Sequence, residues 1–110
     1  MAPMFSFGKS SYETKLMRLL QEKFFKTARR NKILAQWAGG RLGYKDAAFK
    51  SYVRRKILTY LLNPDDEKMI SGILSDFKRE NVAMSEEVIK KKIQAIEMRV
   101  KNRAELGNAS

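Results

Sequence analysis

The stretch KTARRNKILAQWAGG, residues 26–40, places three cations directly before an apolar run. On a helix, where successive residues turn by about 100°, Lys26, Arg29 and Arg30 fall away from the apolar stripe. The pattern therefore predicts a helix with one buried side and one basic side that faces solvent. The two glycines at the end of the stretch indicate a helix terminus, since glycine readily adopts the left-handed conformation that closes helices.

The same helical period extends outward from this stretch and then recurs three times along the chain. The chain contains only two prolines and six glycines, a composition that favours helices over strands and turns. The sequence therefore predicts an all-α protein, a four-helix bundle with a long first helix. The predicted helices are at about 12–40, 46–62, 64–80 and 86–105.

The start of the chain does not share this period. Its aromatic residues stand among serines and glycine, as is typical of a terminus that is not tied down. We therefore predict one domain with loose ends: a mobile N-terminal segment at 1–15, the bundle at 16–106 and a disordered tail at 107–110.

The buried faces of the four helices supply the predicted core, in which Trp37 faces a partner helix. Three helix starts also have recognisable caps. We expect Asp46 to cap the second helix, Asn63 the third with Pro64 at its first position, and Ser85 to begin the fourth. The predicted core residues are Phe24, Leu34, Trp37, Val53, Ile57, Ile70, Ile73, Phe77, Ile89, Ile93 and Ile96.

The composition excludes several classes of chemistry. The chain has no cysteine and no histidine, so disulfides, zinc sites and nucleophilic triads are ruled out. The carboxylate pairs at 65–66 and 86–87 are explained by their position at helix starts, where negative charge is favourable. We predict no metal site, no catalytic residue and no enzymatic activity. No apolar run approaches the roughly 20 residues of a membrane span, which favours a cytoplasmic protein.

The charge is strongly positive, at +11 with a pI of about 10.1. Residues 1–62 carry fourteen cations and three anions, so the whole excess lies in this part of the chain. Such a balance suggests a polyanion, an anionic membrane or an acidic protein surface as partner. Lys26, Arg29, Arg30 and Lys32 form a candidate basic contact face, although a charge run on a helix is usually a solvated face.

The run from Phe25 to Ala38, FKTARRNKILAQWA, closely resembles the F-K-x-x-A-R-R-N-K-L-L-G-L-W-A signature of the bacterial ATPase inhibitor subunit zeta family, allowing a one-residue shift. Three further features look like that family: Leu42-Gly43, the DDEKMISGIL start of the third helix, and the Val82-x-x-Ser85 entry to the fourth. The resemblance covers essentially residues 5–104.

This resemblance implies a four-helix body attached to the F1 sector of an ATP synthase, with the alpha, beta and gamma subunits as partners. It also implies an N-terminal segment that enters a catalytic interface and blocks ATP-hydrolysing rotation. We expect a monomer without a membrane span, held at the inner membrane through the synthase. The residues implied in the inhibitory segment are Phe5, Phe7, Tyr12, Glu13, Lys15, Leu16 and Leu20.

The start of the chain departs from the family pattern, in which F-D-D-R-E precedes E-x-K-F. Here Ser6-Phe7-Gly8-Lys9 follows Phe5, and only Glu13, Lys15 and Leu16 match the second part. Carboxylates are thus replaced by neutral residues and a cation in the segment implied to inhibit. Because charge complementarity governs encounter and register at interfaces, strong inhibition is a hypothesis and weak inhibition is its alternative.

Two other functions are compatible with the charge. The first is a small basic helical nucleic-acid-binding protein, although no helix-turn-helix pattern with base-reading side chains is present. The second is a basic amphipathic helix at 12–30 that lies on anionic membrane. No cofactor is predicted: the resemblance leaves weak adenine nucleotide binding open, and the chain has no Walker-type glycine-rich loop.

Overall fold

The computed structural model describes the backbone of residues 11–109 and the side chains of residues 14–102. Phe5 and Phe7 lie outside the described residues, as do the side chains of Tyr12 and Glu13. Four helices and no strand occur in the described backbone, which confirms the all-α prediction and the long first helix. The helices are α1 (Ser11–Arg41), α2 (Asp46–Leu62), α3 (Asp66–Arg79) and α4 (Glu86–Ala109).

The turn between α1 and α2 depends on two glycines. Gly43 has a φ of +88°, a conformation that residues with a side chain rarely adopt. A Cβ added at Gly39 would lie 3.2 Å from the ring carbons of both Phe49 and Tyr52. Gly39 therefore lets α2 pack closely against the end of α1.

Two of the three predicted helix caps differ from the caps in the structure. Asp65, not Asn63, caps α3, and its carboxylate accepts hydrogen bonds from the backbone N–H of Glu67 at 2.9 Å and of Lys68 at 3.2 Å. Asn63 instead ends α2, where its N–H donates to the carbonyl of Thr59 at 3.1 Å. The predictions for Asn63 and for Pro64 at the first helical position were wrong because α3 begins only at Asp66, with Asp65 in the extended conformation of a cap residue.

The other two helix starts are simpler. The cap position of α2 is Lys45, whose side chain makes no capping bond, and Asp46 is the first helical residue. The prediction that Asp46 caps α2 was therefore also wrong. Ser85 precedes α4 as predicted, and its hydroxyl oxygen accepts a hydrogen bond from the backbone N–H of Val88 at 3.2 Å.

The core lies where α1 packs against α2 and α4 and where α3 packs against α4. Leu34, Ile73, Phe77 and Ile89 are completely buried. Trp37 and Ile57 are partly buried, and Trp37 packs against the core cluster. The other predicted core residues except Phe24 are buried, with the most exposed at 8%: Val53, Ile70, Ile93 and Ile96.

Phe24 is the exception among the predicted core residues. It lies on the same helical face as Leu34 but is 51% exposed, so its assignment to the core was wrong. The apolar stripe of α1 continues beyond the part of the helix that its neighbours cover. Periodicity reports which face of a helix is apolar, not how far a partner extends along it.

Candidate functional site

The rest of the described chain covers the N-terminal half of α1 only in part. Every described side chain from Thr14 to Lys26 is exposed. With 31 residues α1 is about 46 Å long, whereas α2, with 17 residues, is about 26 Å long. α2 is therefore too short to cover α1 over its whole length. We call residues 14–26 the arm.

The arm carries large apolar side chains on the face that is buried further along α1. Leu16 is 44% exposed and Leu20 is 54% exposed. Lys15, Leu16 and Leu20 were among the residues implied to bind a partner, and all three are exposed here. Phe25 lies off this face, and its ring meets that of Phe24 edge-on, with 5.8 Å between centroids. The arm thus presents apolar surface that folding leaves available.

An apolar groove of about 450 Å³ joins the base of the arm to α2. Leu20 and Phe24 form its α1 side, and Ile57, Tyr60 and Leu61 form its α2 side. Leu61 is 49% exposed, so the groove is open to solvent. We call it the arm groove.

Arg30 anchors the base of the arm to the bundle. Its guanidinium donates to Asp66 at 2.7 Å on α3 and to Glu97 at 3.0 Å on α4. It also donates to the side-chain oxygen of Asn31 and lies over the ring of Tyr60. Three helices are therefore joined by one side chain.

The position of Arg30 corrects the prediction that it lies on the solvent side. It is only 7% exposed. Burial lowers the pKa of the guanidinium, but the bonds to Asp66 and Glu97 outweigh burial and raise this pKa overall. The bond from Arg30 is the main cause of the lowered pKa of Asp66. Arg30 sits at the border of the apolar stripe, where partners on neighbouring helices decide its burial.

The other predicted basic residues do not form one patch. Lys26, Arg29 and Lys32 are exposed, but each three-residue step turns by about 60° around the helix, so they spread over about 120°. They remain candidates for contact with an acidic surface. This arrangement does not support the nucleic-acid-binding alternative.

A buried carboxylate, Asp76, was missed by the sequence interpretation. It is 5% exposed, accepts a hydrogen bond from the hydroxyl of Tyr52 at 2.9 Å, and pairs with Lys56 and with Arg79. Burial raises the pKa of Asp76, but the bonds from Lys56, Tyr52 and Arg79 outweigh it and lower this pKa overall. Burial is also the main cause of the raised pKa of Tyr52. The spacing of Asp76, three residues after Ile73, would have placed it on the buried face.

The lowered pKa values of Asp66 and Asp76 predict acid sensitivity. The unfolded chain binds protons at these carboxyls near the ordinary Asp value of about 3.9, before the folded chain does. The two ionised carboxylates therefore stabilise the fold fully above about pH 4. This stabilisation is lost as the pH falls through their lowered pKa values in the folded chain. We expect the free energy of unfolding, measured with urea, to be similar at pH 7 and 5 and to fall below pH 4. An equal fall in Asp76→Asn would show that Asp76 does not contribute.

The described side chains contain no group of three metal-ligating residues. No helix in the described part of the chain is long and apolar enough to cross a membrane.

Comparison with known proteins gives one match. The family model described as ATPase inhibitor subunit zeta matches residues 3–103, which includes α1, α2, α3 and most of α4. No curated protein and no solved structure matches the chain.

Proposed function

We propose that this chain, which belongs to the ATPase inhibitor subunit zeta family, is a non-catalytic subunit that regulates the F1 sector of an ATP synthase. The family match confirms the resemblance found in the sequence. In the proposed mechanism the bundle docks on F1, and the N-terminal segment with the arm enters an interface among the alpha, beta and gamma subunits. The segment then blocks rotation in the direction of ATP hydrolysis. This role places the protein on the cytoplasmic side of the inner membrane.

The observation that carries this proposal is the exposed apolar stripe of the arm. Leu16, Leu20 and Phe24 are each about half exposed, on the part of α1 that the neighbouring helices cover least. Burying the exposed half of such a side chain contributes roughly 1 kcal/mol, so an interface that covered the stripe would gain a few kcal/mol. An amphipathic helix that inserts its apolar face into a groove uses anchors of this spacing.

Removal of residues 1–20 tests the proposal. We expect the full chain to slow ATP hydrolysis by its cognate F1 and the truncated chain to have no effect, because the inserting segment is gone. The truncated chain should keep its thermal unfolding midpoint in circular dichroism, since the described side chains that are removed are exposed. Undiminished hydrolysis at saturating full chain, with the two proteins still co-purifying, would contradict inhibition but not docking.

A matched pair of substitutions tests whether the arm is the element that inserts into F1. Leu20→Ser changes an exposed residue of the arm, and Met98→Ser changes a residue of α4 that is 66% exposed. Leu20→Ser should weaken inhibition severalfold while Met98→Ser leaves it unchanged. An equal effect of both would indicate that the arm is not the inserting element.

The start of the chain lacks the acidic residues of the family pattern, and restoring them is expected to strengthen inhibition. Restoring the acidic family pattern with Ser6→Asp, Phe7→Asp and Lys9→Glu should lower the concentration of protein that halves the rate of hydrolysis. The physical reason is that the carboxylates of the family pattern would again guide the segment into register. An unchanged or higher concentration would show that the acidic start is not needed by this chain.

A further inference from the structure

A second groove, of about 430 Å³, lies between α1 and α2 and shares Ile57 with the arm groove. Its floor is apolar and consists of Phe49, Val53, Ile57 and Leu58. Leu58, in the last third of α2, is 51% exposed. The floor extends over nine residue steps of α2, or roughly 13 Å, which is about two and a half turns of a helix. We call it the outer groove.

The rim of the outer groove is positively charged. It consists of Lys32 from α1 and of Lys50 and Arg54, which are one helical turn apart on α2. No acidic residue lines the groove. Among the described residues, none of these three cations has an ion pair.

This rim differs from the cations on the inner sides of the helices. Arg30 is neutralised by Asp66 and Glu97, and Lys56 is paired with Asp76. The anions of α3 and α4 thus compensate the cations that face the core. The outer groove has no such compensation, and it lies between α1 and α2, in the part of the chain where the whole charge excess of +11 is found.

We propose that the outer groove binds an acidic amphipathic helix of a partner protein. The apolar face of such a helix would cover Val53, Ile57 and Leu58, with anchors spaced as in other helix-in-groove complexes. Its carboxylates would meet Lys32, Lys50 and Arg54 at the rim, where opposite charges set encounter and register. The apolar floor favours a protein helix over a nucleic acid, since phosphate backbones need cations rather than apolar surface. A dimer in which the outer grooves of two copies face each other is disfavoured because both surfaces would be basic.

A synthetic peptide tests this proposal without F1, so its failure leaves the proposed function intact. The probe is a peptide of about 16 residues with leucines at helical i, i+3, i+4, i+7 spacing and glutamates elsewhere. Its control has lysines in place of the glutamates. We expect the acidic peptide to shift the methyl resonances of Val53, Ile57 and Leu58, and the basic peptide to leave them unchanged.

Variants in which cations are replaced by glutamate test whether the rim of the outer groove contributes to binding. The double variant Lys50→Glu/Arg54→Glu should weaken the binding of the acidic peptide at least about tenfold, measured by fluorescence anisotropy. The control Lys91→Glu/Lys101→Glu reverses the same number of exposed cations on α4 and should change the affinity less than about twofold. All these side chains are exposed, so the variants are expected to keep the circular dichroism of the parent.

Four results would overturn the proposal. The first is no binding of the acidic peptide, and the second is the same loss of affinity in the double variant and the control. The third is a duplex DNA probe that binds more tightly than the peptide and shows the same dependence on Lys50 and Arg54. The fourth is self-association of the chain through the outer groove, detected by sedimentation and by the same methyl shifts.

Discussion

Replacing Asp76 with alanine is expected to destabilise the fold by about 3–5 kcal/mol. The substitution leaves Lys56, whose side chain is only 14% exposed, without its counter-ion. It also leaves the buried hydroxyl of Tyr52 without its acceptor. A buried charge without a counter-ion and a buried hydroxyl without an acceptor have both lost their hydration and gained no partner in exchange. Removing one member of the cluster therefore destabilises the fold by more than the whole cluster stabilises it. Urea unfolding monitored by circular dichroism measures the change.

Two further variants test whether the destabilisation comes from the broken buried cluster rather than from the loss of one negative charge. Glu67→Ala removes an exposed carboxylate from the same helix and should change the free energy of unfolding by no more than about 0.5 kcal/mol. The double variant Asp76→Leu/Lys56→Met replaces the pair by apolar groups and should recover much of the loss. A small effect of Asp76→Ala, similar to that of Glu67→Ala, would contradict the structural role of the buried carboxylate.

Phe77→Ala is expected to cost about 3–5 kcal/mol, because it removes a large side chain that is completely buried. The ring of Phe77 packs near that of Trp37, with 6.2 Å between centroids, so the cavity would open in the centre of the core. The same chemical change at Phe24, which is 51% exposed, should cost less than about 1 kcal/mol. Thermal and urea unfolding of both variants measure this difference.

The Phe24 variant has a second purpose. If Phe24 belongs to the docking surface, Phe24→Ala should weaken inhibition of F1 while leaving the fold stable. Comparable destabilisation by Phe77→Ala and Phe24→Ala would instead show that the arm is packed against the bundle. That result would contradict the exposed arm on which the proposed function rests.

The two proposed surfaces have different chemistry and can be separated. The arm is an apolar stripe that extends away from the bundle, whereas the outer groove is an apolar floor with an unpaired basic rim. Substitutions at Leu20 test the first, and substitutions at Lys50 and Arg54 test the second. A protein that loses one activity and keeps the other would show that they are independent.

Sequence periodicity was sufficient for most of the core. Leu34, Ile73, Phe77 and Ile89 lie on regular apolar stripes, and the packing of neighbouring helices leaves them no exposed surface. The Ser85 start of α4 was also predictable, because a serine before a pair of glutamates caps a helix by local hydrogen bonding. These are features that depend on nearby residues in the chain.

The errors concern features that depend on distant residues. Arg30 is buried because Asp66, 36 residues away, and Glu97, 67 residues away, supply its partners. Phe24 is half exposed although its face is apolar, because the neighbouring helices cover it only in part. Asp76 is buried because Tyr52 and Lys56 of α2 face it across the core.

The sequence by itself determined the all-α class, the apolar faces of the helices, the family and the location of the charge excess, since each depends on composition, local spacing or motif. Only the tertiary structure decided which charges are neutralised and how far each apolar stripe is covered. The physical reason is that ion pairing and burial require groups far apart in the chain to meet. The unpaired rim of the outer groove and the uncovered stripe of the arm are what remain after the helices have packed.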